Sequence, residues 1–269
     1  MTGNDYVHGY SERERQRLHD QSQTLADLLH HDTVYPAGSR VLEAGCGVGA
    51  QTVILTANSP QAHFTSIDAS PVSVAAAQAA VARAGFGNVS FQVADIFQLP
   101  FPEASFDHVF VCFVLEHLRE PEEALRRLRA VLKPGGTLTV IEGDHGSTFF
   151  HPRSEAAWRT IQCLIDVQAA MGGNALIGRE LFPLLLGAGL HPVTVSPRFV
   201  YVDASRPAWV EGFTNNTYIA MVEGVRDQAL EAGLIDRPAW DKGIADLKAS
   251  AGPNGTFCYT FFKAVAAKS

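Results

Sequence analysis

The feature that most constrains the fold is the run Val41-Leu42-Glu43-Ala44-Gly45-Cys46-Gly47-Val48-Gly49. Apolar residues lead through an acidic side chain into glycines at alternate positions, and a helix-like stretch from Gln51 to Asn58 follows. Glycine admits the backbone angles of a tight turn and leaves no Cβ to block a ligand approaching the main chain. The run therefore reads as a strand, a turn built to receive a ligand, and a helix.

The same alternation continues. Arg40 to Glu43 is the first predicted strand and Phe64 to Asp68 the second. Pro71, behind a Ser70 cap, opens an alanine-rich helix that runs to Arg83. Val89 to Ala94 and Phe106 to Phe113 are further strands. A helix from Pro121 ends before the turn Lys133-Pro134-Gly135-Gly136, and Thr137 to Ile141 is the fifth strand. Alternation sustained over about a hundred residues dictates a doubly wound, mostly parallel α/β sheet.

Beyond Glu142 the alternation stops. Ala156 to Met171 and Glu180 to Leu186 have helical apolar spacing, Val193-Val195 and Phe199-Val202 read as a strand pair, and Thr256 to Ala264 alternates as a final strand. Upstream, Leu18, Leu25, Leu28 and Leu29 share one helical face. The predicted organisation is an N-terminal helical lid over 1–35, a ligand-binding α/β core over 36–150, a cap or recognition insertion over 151–235, and a segment over 236–269 that completes the sheet. A chain of 269 residues buries one sizeable core with such elaborations.

The net charge of -7 lacks the basic footprint that phosphate backbones demand, which argues against nucleic acid as a partner. Arg126, Arg127, Arg129 and Lys133 cluster on one predicted helix and read as a solvated face. Cys46, Cys112, Cys163 and Cys258 are too scattered for a metal or redox pair, so they are expected to be reduced and structural, with no metal. No stretch approaches the ~20 apolar residues of a membrane span. No membrane partner and a cytoplasmic location are the expectation.

Glycine spacing separates two readings of the turn. A dinucleotide fingerprint puts its third glycine three residues after the second. Here Gly49 follows Gly47 by two, and Glu43 precedes the turn. Glu43-Ala44-Gly45-Cys46-Gly47-Val48-Gly49 resembles the first motif of class I S-adenosylmethionine-dependent methyltransferases of the small-molecule type. Asp68 at the end of the second strand, Val93-Ala94-Asp95-Ile96, Phe113-Val114-Leu115-Glu116-His117-Leu118 and Leu132-Lys133-Pro134-Gly135-Gly136 resemble its later motifs in order, over residues 39 to 144. The resemblance implies a seven-stranded, mostly parallel Rossmann-like sheet and S-adenosylmethionine as cofactor. It implies cofactor contacts from Glu43, Gly45, Cys46, Gly47, Gln51, Asp68, Ala69, Ala94, Asp95, Ile96, Phe113 and His117. Asp68 would take the ribose hydroxyls, since a carboxylate accepts two hydrogen bonds from a cis-diol. Asp95 would read the adenine. The resemblance also makes Tyr6, His8, Gly9 and Tyr10 a candidate lid.

Ligands of open α/β sheets lie beyond the carboxyl ends of the strands. That rule brings Glu142, Asp144, His145 and His117 to the reacting centre, and the histidines are the candidate catalytic bases for an in-line methyl transfer. Phe113-Val114-Leu115-Glu116 lacks the Asn/Asp-Pro-Pro-aromatic turn of resembling enzymes that methylate nucleic-acid bases. Trp209, Phe213, Asn215, Asn216 and Tyr218 mix aromatics with short amides, as a pocket for a small-molecule acceptor would. The acceptor atom is left open between O, N and C, as is homodimer formation. A cofactor-binding partner subunit without methyl transfer, and an NAD-dependent oxidoreductase, are the alternatives.

Overall fold

The structure, a computed structural model, describes residues 24–269. Its centre is a seven-stranded sheet in the order β3-β2-β1-β4-β5-β7-β6. The strands are β1 (Arg40–Ala44), β2 (His63–Asp68), β3 (Val89–Val93), β4 (Phe106–Cys112), β5 (Leu132–His151), β6 (Val193–Asp203) and β7 (Thr256–Ala267). The first five run parallel, and β7 is antiparallel to both of its neighbours, β5 and β6. The chain winds outward from β1 to β3 and then returns to β4 beside β1. The order reverses there, which opens a crevice at the carboxyl ends of β1 and β4.

Side-chain alternation along the strands splits the core into two layers. Val41, Phe64, Phe110 and Ile141 face one side, packed with Leu25, Leu29, Leu55, Leu164, Phe213 and Trp240. Leu42, Ile67, Val109, Val111, Leu138 and Val140 face the other, against Leu125, Leu128, Leu181 and Leu185. Each fully buried side chain of this kind contributes about 1.5–3 kcal/mol relative to exposure. Local chemistry fixes the helices that cross over. Ser70 caps Pro71–Ala84 by accepting from Ser73 N, Ser154 caps Glu155–Ala170, and Asp236 caps Arg237–Ala249. On Pro121–Val131, Ala124, Leu125, Leu128 and Val131 form the buried stripe, while Arg126 and Arg127 pair outward with Glu122 and Glu123.

Two sequence expectations need correction. The fifth strand runs on to His151, well past Ile141. The supposed strand pair around residues 193–202 is the single strand β6, interrupted in pattern by Pro197. An edge strand tolerates proline because one row of its backbone donors faces away from the sheet. The 151–235 segment thus contributes one strand to the sheet. Leu18 and the Tyr6–Tyr10 segment lie outside the described residues, as does most of the proposed lid. Residues 24–30 are helical and lie on the first core layer. All four cysteines are buried free thiols. Among the described residues no helix is long and apolar enough to cross a membrane, and no group of His, Cys, Asp and Glu converges for a metal.

Candidate functional site

The glycine turn is pinned from below. Gly45 N and Cys46 N both donate to Ile67 O, at 2.8 and 2.9 Å. Gly47 sits at φ +50° with nothing within 4 Å of where a Cβ would be, so open space lies above it. Gly49 serves packing instead: a Cβ there would stand 2.7 Å from the Ala77 backbone. Asp68 ends β2 beside the turn, with Oδ2 accepting from Gly47 N and Oδ1 from Ser70 N, both at 2.9 Å. The carboxylate is half-buried and keeps some exposure.

Glu43, expected at the cofactor, lies at the base of the turn. It is 2 % exposed, and its Oε2 accepts from Thr52 Oγ1 at 2.7 Å and Ser66 Oγ at 2.6 Å. It ties β1, β2 and the helix Ala50–Asn58 together beneath the turn. Burial pushes its pKa up to about 7 against those two hydrogen bonds. Cys46 is likewise buried. Ala69 and Asp95 are exposed, Ala94 and Ile96 half-buried, and Asp95 Oδ1 accepts from Phe97 N at 2.9 Å. Phe113, just past β4, holds φ +57°, an uncommon angle for a bulky side chain. Such strain gathers at functional sites.

The carboxyl end of β5 carries the most unusual backbone. Pairing with β7 runs in register to Asp144↔Thr260 and resumes at Phe149↔Cys258, so His145 to Thr148 bulge out opposite Tyr259. A bulge of this kind re-aims side chains. His145 Nδ1 lies 2.8 Å from the Tyr259 hydroxyl, and Thr148 Oγ1 lies 2.7 Å from that of Tyr218. Burial raises both tyrosine pKa values, so the hydroxyls stay protonated. Asp144 is buried and takes a two-pronged grip from Arg179, Nε to Oδ2 and Nη2 to Oδ1, each at 2.7 Å. Next to it, Glu142 Oε1 accepts from Val114 N at 3.0 Å and Leu115 N at 2.8 Å. Glu142 thereby fastens the loop after β4 to β5. Burial, with Glu116 close by, holds its carboxyl well above the ordinary carboxylate range. His117 sits on that loop with Nε2 3.5 Å from Glu116 Oε1.

The segment read as an acceptor pocket divides. Phe213 and Tyr218 are each 1 % exposed; Phe213 packs on Phe257, Tyr259 and Phe261, and Tyr218 on Phe257 and Tyr259, so Phe213 is a core ring with no open face. Asn215 spends its amide on Glu211, one helical turn away. Trp209 and Asn216 are half-buried. Tyr259 and Arg179 escaped the sequence reading. Tyr259 lies 114 residues beyond its partner His145, and the only signal for it was its place in an alternating strand.

With this geometry in view, the comparisons agree. Residues 42–140 match the family model described as a methyltransferase domain. The chain is 38% identical over 202 residues to the ubiquinone/menaquinone biosynthesis C-methyltransferase UbiE of Pseudomonas paraeruginosa, covering 74% of this chain and 73% of that one. It is 29% identical over 233 residues to the 27-O-demethylrifamycin SV methyltransferase of Amycolatopsis mediterranei, covering 86% and 79%. A phosphoethanolamine N-methyltransferase of Haemonchus contortus, solved with S-adenosylhomocysteine, shares the fold at a TM-score of 0.57, with 18% identity and 91% of this chain and 52% of that one covered. Across the curated relatives the chain spans from 35% to 79% of their own lengths. The chain belongs to the class I S-adenosylmethionine-dependent methyltransferases, and S-adenosylmethionine is its cofactor. Its own residues suit that molecule: open space over Gly47, a carboxylate at Asp68, and a buried Gln51 Oε1 that lacks a partner.

Proposed function

We propose that this methyltransferase acts on a small, hydroxyl-bearing acceptor seated against the His145–Thr148 bulge. The bulge itself is the observation that carries the reading. It holds His145, 3 % exposed, against Tyr259 on the stretch of β5 beyond Ile141, and from there the imidazole would meet the acceptor. Bound S-adenosylmethionine supplies a methyl carbon made electrophilic by its sulfonium. The protein must then hold the acceptor oxygen in line with that carbon, an alignment worth up to about 7–11 kcal/mol. Asp68 would hold the ribose, Asp95 with Ala94 and Ile96 would hold the adenine, and Phe113 would line the methyl-bearing end.

With methyl transfer from the sulfonium to the acceptor oxygen, His145 would take the acceptor's proton. The tautomer that donates Nδ1–H to Tyr259 leaves Nε2 as the base. Trp209 and Asn216 have surface left for the acceptor body, and Tyr218 serves the site through Thr148. His117 is the second candidate base. The acidic net charge supports a small molecule over nucleic acid as substrate. A monomer or homodimer in the cytoplasm fits this role.

The test incubates purified protein and S-adenosylmethionine with separate panels of phenols and alcohols, amines, and activated carbon acids, reading methyl gain by mass spectrometry. Methylation confined to the hydroxyl panel, reduced about 10²–10⁴-fold by His145→Gln, is expected. Turnover confined to amines or carbon acids, or undiminished in His145→Gln, would overturn the acceptor and base assignments.

A further inference from the structure

His30 ends the helical residues 24–30 and is 1 % exposed, yet neither of its ring nitrogens has a hydrogen-bond partner. Its surroundings are fixed. Asn58 Nδ2 donates to its carbonyl at 3.1 Å, and the ring tilts over Phe110 with centroids 5.8 Å apart. Lys263 Nζ grips the adjoining backbone and side chains: Leu29 O at 3.2 Å, Asp32 Oδ1 at 2.6 Å and Thr33 Oγ1 at 2.6 Å. Arg198 pairs with the other oxygen of Asp32. Burial and the Lys263 charge hold His30 down to about 4, Asp32 opposing, so the ring is neutral with one donor and one acceptor.

Gln51 stands beside that ring, close enough to oppose the shift, in the first turn of the helix that leaves the glycine turn. Its Oε1 is also buried and unpartnered. Two adjacent polar side chains, one lacking an acceptor and the other a donor, are complementary. Buried polar groups are almost always satisfied, so a pair left open in this way calls for an explanation.

We infer that His30 and Gln51 form a latch for the amino-acid end of the cofactor, His30 N–H donating to Gln51 Oε1 and so turning Gln51 Nε2 toward the cofactor carboxylate. His30 is then a positioning residue and Gln51 the contact. The inference rests on the cofactor assignment above and adds a residue that the glycine motif does not contain.

Calorimetry with two ligands tests it: S-adenosylhomocysteine, which carries the amino-acid end, and 5′-methylthioadenosine, which lacks it. His30→Phe and Gln51→Met should each weaken S-adenosylhomocysteine about ten- to a hundredfold, the loss of one hydrogen bond to a charged group, and leave methylthioadenosine within about twofold. The double variant should lose no more than either single one. His30→Gln or His30→Asn, each keeping an N–H at one ring position, should restore affinity in one of the two. Unchanged affinity for S-adenosylhomocysteine, or equal losses for both ligands, overturns the latch while leaving the cofactor in place. If the wild-type protein binds neither ligand, the cofactor assignment falls and the latch falls with it.

Discussion

Truncating Phe213 to alanine probes the junction between the helical run 207–224 and the sheet. The ring is 1 % exposed and meets the rings of Phe257, Tyr259 and Phe261 at centroid distances of 6.0, 5.8 and 5.9 Å. The loss is that of transferred apolar surface plus the cavity left behind, about 3–5 kcal/mol for Phe→Ala. That is a large share of the roughly 5–15 kcal/mol that holds a domain folded. At about 2–4 °C per kcal/mol for a chain near this size, the melting temperature should fall by roughly 6–20 °C. Urea denaturation supplies the free energy and calorimetry with S-adenosylhomocysteine the affinity, which should stay near the wild-type value if the ring serves packing alone. A loss below about 1 kcal/mol, in the range of a surface substitution, would show that the ring is not packed as described. The reasoning about this segment would then be wrong.

Other outcomes follow from the same geometry. Asp68→Ala should weaken S-adenosylhomocysteine by about 1.5–3 kcal/mol, the scale of a charge-assisted hydrogen bond, and calorimetry giving an unchanged affinity would remove the ribose assignment. Arg179→Ala strands the buried Asp144 carboxylate and should cost about 1–3 kcal/mol by denaturant titration, discounted for the half-exposed arginine, whereas a neutral result would make the fork ornamental. Glu43 binds its proton more tightly folded, at about 7, than as an ordinary carboxylate. Its contribution is therefore present at acid pH and lost as pH rises through 7, so Glu43→Gln should flatten the fall in stability from about pH 5 to pH 8. An identical slope in both proteins would contradict that sign.

The strands and helices from Arg40 to Cys112 were legible because each bears one clear period, bounded by glycine or proline. The far end of β5 was not, because Gly143 and Gly146 interrupt its apolar alternation. Both are there for space: a Cβ on Gly143 would meet the Tyr259 hydroxyl at 2.2 Å, and one on Gly146 would meet Arg179 Nη2 at 2.6 Å. β6 was misread as two pieces because Pro197 is unusual inside a strand and is tolerated at the sheet edge. At the site, Asp68 and the glycine turn announce themselves through local spacing. The Tyr259 anchor and the Arg179 fork do not, since each joins residues distant in sequence through a bulge that only tertiary pairing creates. The two hydroxyl partners of Glu43 are hidden from the sequence for a related reason: they come from different elements, Thr52 on the helix and Ser66 on β2.

The most direct test of the central claim is the melting temperature of the purified chain with saturating S-adenosylhomocysteine against the same concentration of NAD. A ligand that binds only the folded state stabilises it by about 2.7 kcal/mol at a hundred times its dissociation constant. The account predicts an upward shift with S-adenosylhomocysteine, diminished in Asp68→Ala, and none with NAD. A shift with NAD and none with S-adenosylhomocysteine would contradict it.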